Sequence, residues 1–355
     1  MTREQSRDLP KATPDHRVTL ADVARKARVS QSTVSRALRG NPRISARTQK
    51  RIIRASEALQ YVPNNAARSL VTRTSGVFGL LIPDMSDPFY GQVATGFEQE
   101  SMAEGYTVII ANVLGDPAQE RSALRLFASH GVDGIAVVSS LQAPAAVWMA
   151  VRPSPVVFIA AENPRIKRGP GTNVIGGVLT DQAGGMRSMV QHLAEQGYRR
   201  LAYINGPHVA SNVIRREAAK RALAAAGIPA RLRLFSSTGS DWRAPEELVA
   251  RILRGPADQR PDALICYDDN LALGVLDRLL AAGVRVPAEM AVVGFDDMPY
   301  AALSHPRLTT VEQPAAEMGR LAANTLLAGI RTGKLPESKM LPVRLIVRES
   351  SLRRL

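Results

Sequence analysis

The chain of 355 residues has one cysteine, Cys266, few aromatic residues and five histidines that are not grouped. A single thiol excludes an internal disulfide and any multi-cysteine metal site. G-x-S-x-G, P-loop and H-E-x-x-H patterns are all missing, so no catalytic residue, cofactor or metal site is expected. "GPGTNVIGG" is glycine-rich, but its third glycine is wrongly spaced for a dinucleotide site and it precedes a strand pattern. No stretch approaches the roughly 20 apolar residues that span a bilayer. The opening "MTREQSRDLPKATPDHR" is polar and lacks the apolar run of a secretory signal. A cytoplasmic protein with a disordered, basic start (residues 1–17) is the expectation. Acidic residues are scarce only at the amino end: residues 1–75 hold 16 Lys+Arg against 5 Asp+Glu, and the remaining 280 hold 30 against 27. A basic segment on a near-neutral body points to a polyanion partner for that segment.

Within that segment, "VTLADVARKARVSQSTVSRALRG" carries Leu20, Val23, Ala24 and Ala27 at the spacing of one helical face. Thr19, with Asp22 three residues on, fits a capped start. Ser30 is the natural cap of a second helix whose Val34, Ala37 and Leu38 turn inward. Gln31, Ser32, Ser35, Arg36 and Arg39 then face out. Ser45 caps a third helix with Ile52, Ala55, Ser56 and Leu59 on one face. Two short helices joined by about three residues, the second opening on hydrogen-bonding side chains, form a helix-turn-helix pattern. Its first turn could enter a DNA major groove, where Gln and Ser bond base edges and Arg reaches guanine or phosphate. A small helical bundle with a polar surface would show the same spacing. After "YVP", Asn64 can cap a helix of about seven residues ending at Leu70, far short of the roughly 12 to 15 at which an isolated helix is marginally stable. It should form only when something packs on it.

From Gly76 onward, apolar runs alternate with helical patterns: "GVFGLLIP", "TVIIANV", "GIAVVSS", "PVVFIA", "NVIGGVL", "RLAYINGP", "DALICYD" and "MAVVGFDD". Short Val/Ile/Leu runs between amphipathic helices predict parallel sheets covered on both faces. So many strands predict two doubly wound subdomains with a cleft between them. Ligands of such sheets bind beyond the carboxyl ends of the strands. The residues that follow the runs are Phe89 and Tyr90, Asp181, Arg216 at the end of "HVASNVIRR", Trp242 in "SDWRAPEEL", and the Asp268-Asp269 pair. Aromatic faces, an arginine and carboxylates are what a sugar or polyol requires in a cleft that excludes water. Each has a plainer reading: Phe89 as core, Trp242 as a packing anchor under a loop, Asp269 as a helix cap, Arg216 as a solvated neighbour of Arg215.

"VTLADVARKARVSQSTVSRAL", "YVPNNAARSL" and "VVGFDDMPYAALSHPRLTTVEQP" together resemble the lactose-repressor/galactose-repressor (LacI/GalR-type) family of bacterial transcription regulators, from about Val18 to the carboxyl terminus. The resemblance implies an α/β fold class with an N-terminal all-α helix-turn-helix DNA-binding domain (18–62), a hinge helix and linker (63–75), and a periplasmic-binding-protein-like core (76–355). That core divides into two doubly wound parallel-sheet subdomains, 76–179 with 311–341 and 180–310 with 342–355. It implies DNA contacts at Thr19, Ser30, Gln31, Ser32, Thr33, Ser35, Arg36, Asn64, Ala67, Arg68 and Leu70. The leucine would wedge between base pairs of a kinked minor groove. It implies effector contacts at Phe89, Tyr90, Asp181, Arg216, Trp242 and Asp269. The partners implied are double-stranded DNA with a pseudo-palindromic operator, a small-molecule effector of the sugar or sugar-acid type, and a second copy of the chain in a homodimer, with no membrane. Three departures from the family stand out. Arg28 occupies a turn position that usually holds Gly, Ala219-Lys220 replaces a Gly-aromatic pair, and "AENPRIKRGPG" is a basic insert. A transport-type sugar-binding protein and a ligand-independent architectural DNA-binding protein are the alternatives. The first has no use for the amino-terminal 70 residues, and the second has none for the cleft residues.

Overall fold

The computed structural model describes residues 18–38, 41–62, 74–160, 175–206, 209–228, 232–236 and 245–353. The predicted hinge helix, with Asn64, Ala67, Arg68 and Leu70, lies outside these residues, as do Trp242 and the basic insert. Contacts divide the chain into two compact units, Met1–Arg73 and Thr74–Leu355.

The first unit contains α1 (Leu20–Ala27), α2 (Gln31–Leu38) and α3 (Ala46–Ala58). The Asp22 carboxylate accepts from both the Thr19 backbone N–H (2.9 Å) and its hydroxyl (2.6 Å), which closes the first turn of α1. Ser45 accepts from Thr48 N–H at the start of α3. Val23, Ala24, Ala27, Val34, Ala37, Ile52 and Ala55 make the shared core. Four of these seven are alanines, so the three helices pack close and the core is small. The turn from α1 to α2 depends on Arg28, which is left-handed at φ 51°. A side chain there costs about 1 kcal/mol that glycine would not.

The second unit is built on two parallel sheets. In the first, β1 (Val77–Ile82), β2 (Thr107–Asn112), β3 (Gly134–Val138), β4 (Val156–Ile159), β5 (Ile175–Thr180) and β11 (Lys339–Leu341) lie in the order β11-β5-β4-β3-β1-β2. Alternate residues of one apolar run serve opposite faces. Phe78, Leu80 and Ile82 join Phe97, Met318 and Leu326 under α4 (Pro88–Ala103) and α11 (Ala315–Thr332). Leu81 joins Leu124, Phe127 and Val147 under α5 (Pro117–Ser129) and α6 (Pro144–Val151). A strand covered on both sides must be apolar throughout, which is why these runs do not alternate with polar residues.

The second sheet has the order β7-β6-β8-β9, from β6 (Leu201–Asn205), β7 (Arg233–Ser236), β8 (Ala263–Cys266) and β9 (Ala291–Val293). Its core takes in α7 (Gln182–Glu195), α8 (Ala210–Ala225), α9 (Pro245–Leu253) and α10 (Asp269–Ala281). A small antiparallel pair, β10 (Thr310–Glu312) with β12 (Arg344–Ile346), lies where the chain passes between the sheets. All eight apolar runs singled out in the sequence are strands. Strand order reverses between β1 and β3 and between β6 and β8, so ligand groups are expected beyond the carboxyl ends of those strands.

Helices α4 and α11 meet backbone to backbone. A Cβ on Gly96 would lie 2.0 Å from Ala316 O, and one on Gly319 would lie 2.0 Å from Val93 O. Gly319→Ala should therefore lower stability by about 2–3 kcal/mol or more, because backbone cannot move aside as a side chain can. Gly91→Ala, on α4 with nothing within 4 Å of the added carbon, should raise it by up to about 1 kcal/mol through helix propensity. Denaturant unfolding of both variants checks the pair; equal effects would remove the close helix contact from the account.

Candidate functional site

In the first unit, Ser30, Gln31, Ser32 and Arg36 are exposed, and Thr33 and Ser35 are half-buried at the start of α2. The Ser30 hydroxyl lies 2.9 Å from both the Ser32 and Thr33 hydroxyls and caps Thr33 N–H. Arg36 folds back on Ser32, donating Nε to its carbonyl at 3.2 Å and Nη2 to its hydroxyl at 3.3 Å. These groups satisfy one another at little cost in water and are free to exchange those bonds for base edges. The helix amino terminus adds positive potential, which suits phosphate.

In the second unit, a mixed cluster gathers beyond the strand ends. After β1, Asp87 caps α4 by accepting from Phe89 N–H at 2.8 Å. Phe89 is buried in the first sheet's core and meets Tyr90 edge-on at 5.4 Å and 73°. Tyr90 is half-buried; burial pushes its hydroxyl well above the ordinary tyrosine range, and Tyr267, Asp87, Asp296 and Asp268 add to the shift. Groups from both sheets therefore face one another here.

From the second sheet comes Arg215, on α8 and only 3% exposed. It donates Nε to Gln182 Oε1 (2.9 Å), Nη1 to the Tyr267 carbonyl (2.6 Å) and Nη2 to Asp296 Oδ1 (3.3 Å). Its guanidinium lies 3.8 Å from the Phe295 ring centroid and 4.8 Å from that of Tyr267. Ser211, one turn earlier on α8, bonds the Tyr267 hydroxyl at 2.8 Å. Asp268 caps α10 by accepting from Leu271 N–H. Asn205, at the carboxyl end of β6, has a buried Oδ1 with no hydrogen-bond partner.

The carboxylates of the cluster raise one another. Burial first, then the Asp296 and Asp268 carboxylates, push Asp87 up to about 8. Burial raises Asp296 to about 7 even though Arg215 beside it pulls the other way.

Two sequence expectations shift by one residue. Arg216 is partly exposed and pairs with Glu217 at 3.2 Å; Arg215 faces the cluster in its place. Asp269 is fully buried and accepts from Met298 N–H (2.8 Å) and the Thr310 hydroxyl (2.6 Å), fixing the 294–298 turn, while its neighbour Asp268 is the one that charges the cluster. Asp181 caps α7 through Gly184 N–H and lies 3.7 Å from Arg187, half-exposed. A signal for Arg215 was present in the sequence. It lies on a helical stripe with Ser211, Ala218 and Ala222, and a lone cation amid small residues needs a buried partner. Gln182, Tyr267, Asp296 and Gln313 carried no such signal.

A helix-turn-helix and a two-sheet binding body in one chain define a protein that couples DNA reading to a second recognition site. Residues 19–64 match the lacI family of bacterial regulatory proteins, and residues 190–351 match the periplasmic binding protein-like domain. Catabolite control protein A of Priestia megaterium is 30% identical over 338 residues, spanning 94% of this chain and 99% of its own. A lac repressor dimer bound to operator and the anti-inducer ONPF superimposes with a TM-score of 0.82 at 23% identity, covering 95% of this chain and 99% of that one. A complex of the regulator CelR with cellobiose gives 0.68 at 29% identity, covering 94% and 100%. The chain belongs to the LacI family of bacterial regulatory proteins and is a DNA-binding transcriptional regulator.

The raised Asp87 has a consequence for stability. The folded chain keeps a proton that the unfolded chain has already released. This contribution is full below about pH 4, the unfolded carboxyl value, and is lost as pH rises through about 8. Asp87→Asn keeps an acceptor for the α4 cap but cannot ionise. Its thermal midpoint relative to wild type should rise from pH 5 to about pH 8 and level off above it; a constant difference across that range would exclude Asp87 as the titrating group.

Proposed function

We propose that the protein is an effector-controlled repressor whose small-molecule site is the cluster of Tyr90, Asp87, Arg215, Asp268 and Asp296, with Phe89 as the apolar floor under Tyr90. The observation that carries this reading is a buried arginine and several carboxylates, joined by two aromatic rings, beyond the strand ends of two facing sheets. Aromatic faces cover the apolar side of a sugar, and charged groups bond its hydroxyls. The cellobiose held by CelR supports the same class. The two sheets support subdomains of 76–179 with 311–341 and 180–310 with 342–355, although Val311 packs in the second sheet's core.

The working form in this proposal is a cytoplasmic homodimer, without enzymatic activity, on a pseudo-palindromic operator. No described helix is long and apolar enough to cross a membrane. Ser30, Gln31, Ser32, Thr33, Ser35 and Arg36 read the major groove, with Thr19 on the backbone. Asn64, Ala67, Arg68 and Leu70 belong to the minor groove, and Trp242 and Asp181 border the effector. Two identical reading units on one duplex face require half-sites about one helical turn apart, so selection from random duplex should return a palindrome. Recovery of single asymmetric sites would exclude the dimer.

A thermal-shift screen of neutral sugars against aldonates identifies the effector class, since a ligand at 100 times its dissociation constant adds about 2.7 kcal/mol. With the hit in hand, Arg215→Lys should weaken effector binding by about 30-fold or more, because a buried charged hydrogen bond is lost. Arg216→Ala should leave it near normal. DNA titrations of both variants, with and without effector, read the outcome as the change that effector produces in each. The reverse ranking of the two arginines would move the site to the exposed side of α8.

A further inference from the structure

Where the chain passes between the two sheets, a line of buried side chains joins the crossings. Thr180 ends β5 of the first sheet, and Gln182 opens α7 on the second sheet's core. Gln313 follows β10, whose Val311 belongs to the second core, and Pro314 leads into α11 on the first. The Thr180 hydroxyl donates to Gln313 Oε1 at 2.6 Å, and Gln313 Nε2 donates to Asp296 Oδ1 at 2.6 Å. The same Asp296 oxygen accepts from Arg215 Nη2, and Arg215 Nε donates to Gln182 Oε1. Thr180 and Gln182 flank Asp181, so the bonds close into a ring. Every member is between 3% and 9% exposed.

With Asp296 ionised, its carboxylate fixes the polarity of the ring. Gln313 can present only its N–H to a carboxylate, so its oxygen must accept, and Thr180 must donate. Turning the amide over would set oxygen against oxygen in a buried site. Separating either crossing from the other leaves a buried donor or acceptor alone, which costs more than the bond itself is worth. Intermediate separations are therefore disfavoured.

We infer that Gln313 is a positioning residue for effector recognition: it ties Asp296, and through it Arg215, to both chain crossings, so that the recognition pair and the mutual setting of the two sheets change together. The role of Arg215 and Asp296 in recognition rests on the proposed function above; the link between the pair and the crossings stands on the ring alone.

The test needs no ligand and uses the full chain. Spin labels on Ser122→Cys in α5 and Asp277→Cys in α10, both exposed, report the distance distribution between the sheets; native Cys266 is buried. In parallel, carbon-13 NMR follows the Asp296 carboxyl, identified by its disappearance in Asp296→Asn. Besides Gln313, this carboxyl faces Arg215, Asp268, Asp87 and Asp269. Removing the amide donor in Gln313→Leu should shift the titration upward, since that donor favours the charged form, and should broaden or displace the distance distribution. Thr180→Val should move both readouts in the same direction, and Thr180→Ser, which keeps the hydroxyl, should restore both. A tie that only holds the fold together would lower stability and leave the Asp296 titration and the distances of the folded chain in place; that result overturns the inference. Should Gln313→Leu fail to fold, the Thr180 pair decides alone. A negative result leaves the effector-site reading intact, because that reading is decided by the sugar screen.

Discussion

A guanidinium taken out of water must be paired and fully hydrogen-bonded, or the fold cannot hold it. Arg215 imposes that demand on the second unit, and much of the surrounding geometry answers it. Its partners come from α7, the end of β8 and the turn after β9. The last of these is the most demanding, because Asp296 and Asp297 have φ of 113° and 52°. Such backbone costs on the order of 1–3 kcal/mol per residue and persists only where its surroundings over-determine it. They do so here. Asp296 N–H donates to Val311 O at 2.7 Å and Gly294 N–H to Thr309 O at 2.9 Å. Asp269 grips the far side of the turn at Met298. Gly294 is required for that grip, since a Cβ would lie 2.1 Å from Asp269 Oδ1. The strain aims one carboxylate at Arg215, and the buried Asp269 is what sustains it.

The remaining carboxylates then set the chemistry of the cluster. With Arg215 already engaged by Asp296, burial and the neighbouring carboxylates leave Asp87 holding its proton near neutrality. A protonated carboxyl donates one hydrogen bond and accepts others, and a carboxylate only accepts. Ligand hydroxyls can serve both forms.

The sequence showed elements whose physics is local. Eight apolar runs, the capping residues Ser30 and Ser45, and the small-residue face of α1 each announce themselves within a few positions, and each is present. The short strands β7, β10, β11 and β12 were not anticipated. "RLFS", "TVE", "KML" and "RLI" are too short and too mixed to show a period, and they pair because the rest of the sheet is already in place. The sequence pointed to the strand ends where the cluster lies, and named Arg216 and Asp269 where Arg215 and Asp268 face it. Periodicity gives the face of α8, and the stripe of Ser211, Ala218 and Ala222 that includes Arg215 but not Arg216 was there to be read. It cannot say which of Asp268 and Asp269 turns to the cluster and which to the strand behind it. Gln313 was invisible, because an amide between two crossings has meaning only once those crossings are adjacent.

Control of the DNA-reading unit sets a limit on what the cluster must supply. A ligand shifts a two-state equilibrium only by the difference in its affinity for the two states; moving it from 1:99 to 99:1 takes about 5.5 kcal/mol. A single surface hydrogen bond is far too small a difference, since its net worth is about 0.5–1.5 kcal/mol. A buried charged network is of the right size, because making or breaking it commits several desolvated groups at once. Arg215, Asp296, Gln313 and the two crossing segments are the described groups that share such a network. A ligand that bonds Arg215 and Asp296 in one setting of the sheets and cannot reach them in the other has the required difference built in. The helix-turn-helix brings no comparable reserve: its core is mostly alanine, and its α1–α2 turn already bears a left-handed arginine. Control therefore has to originate in the second unit.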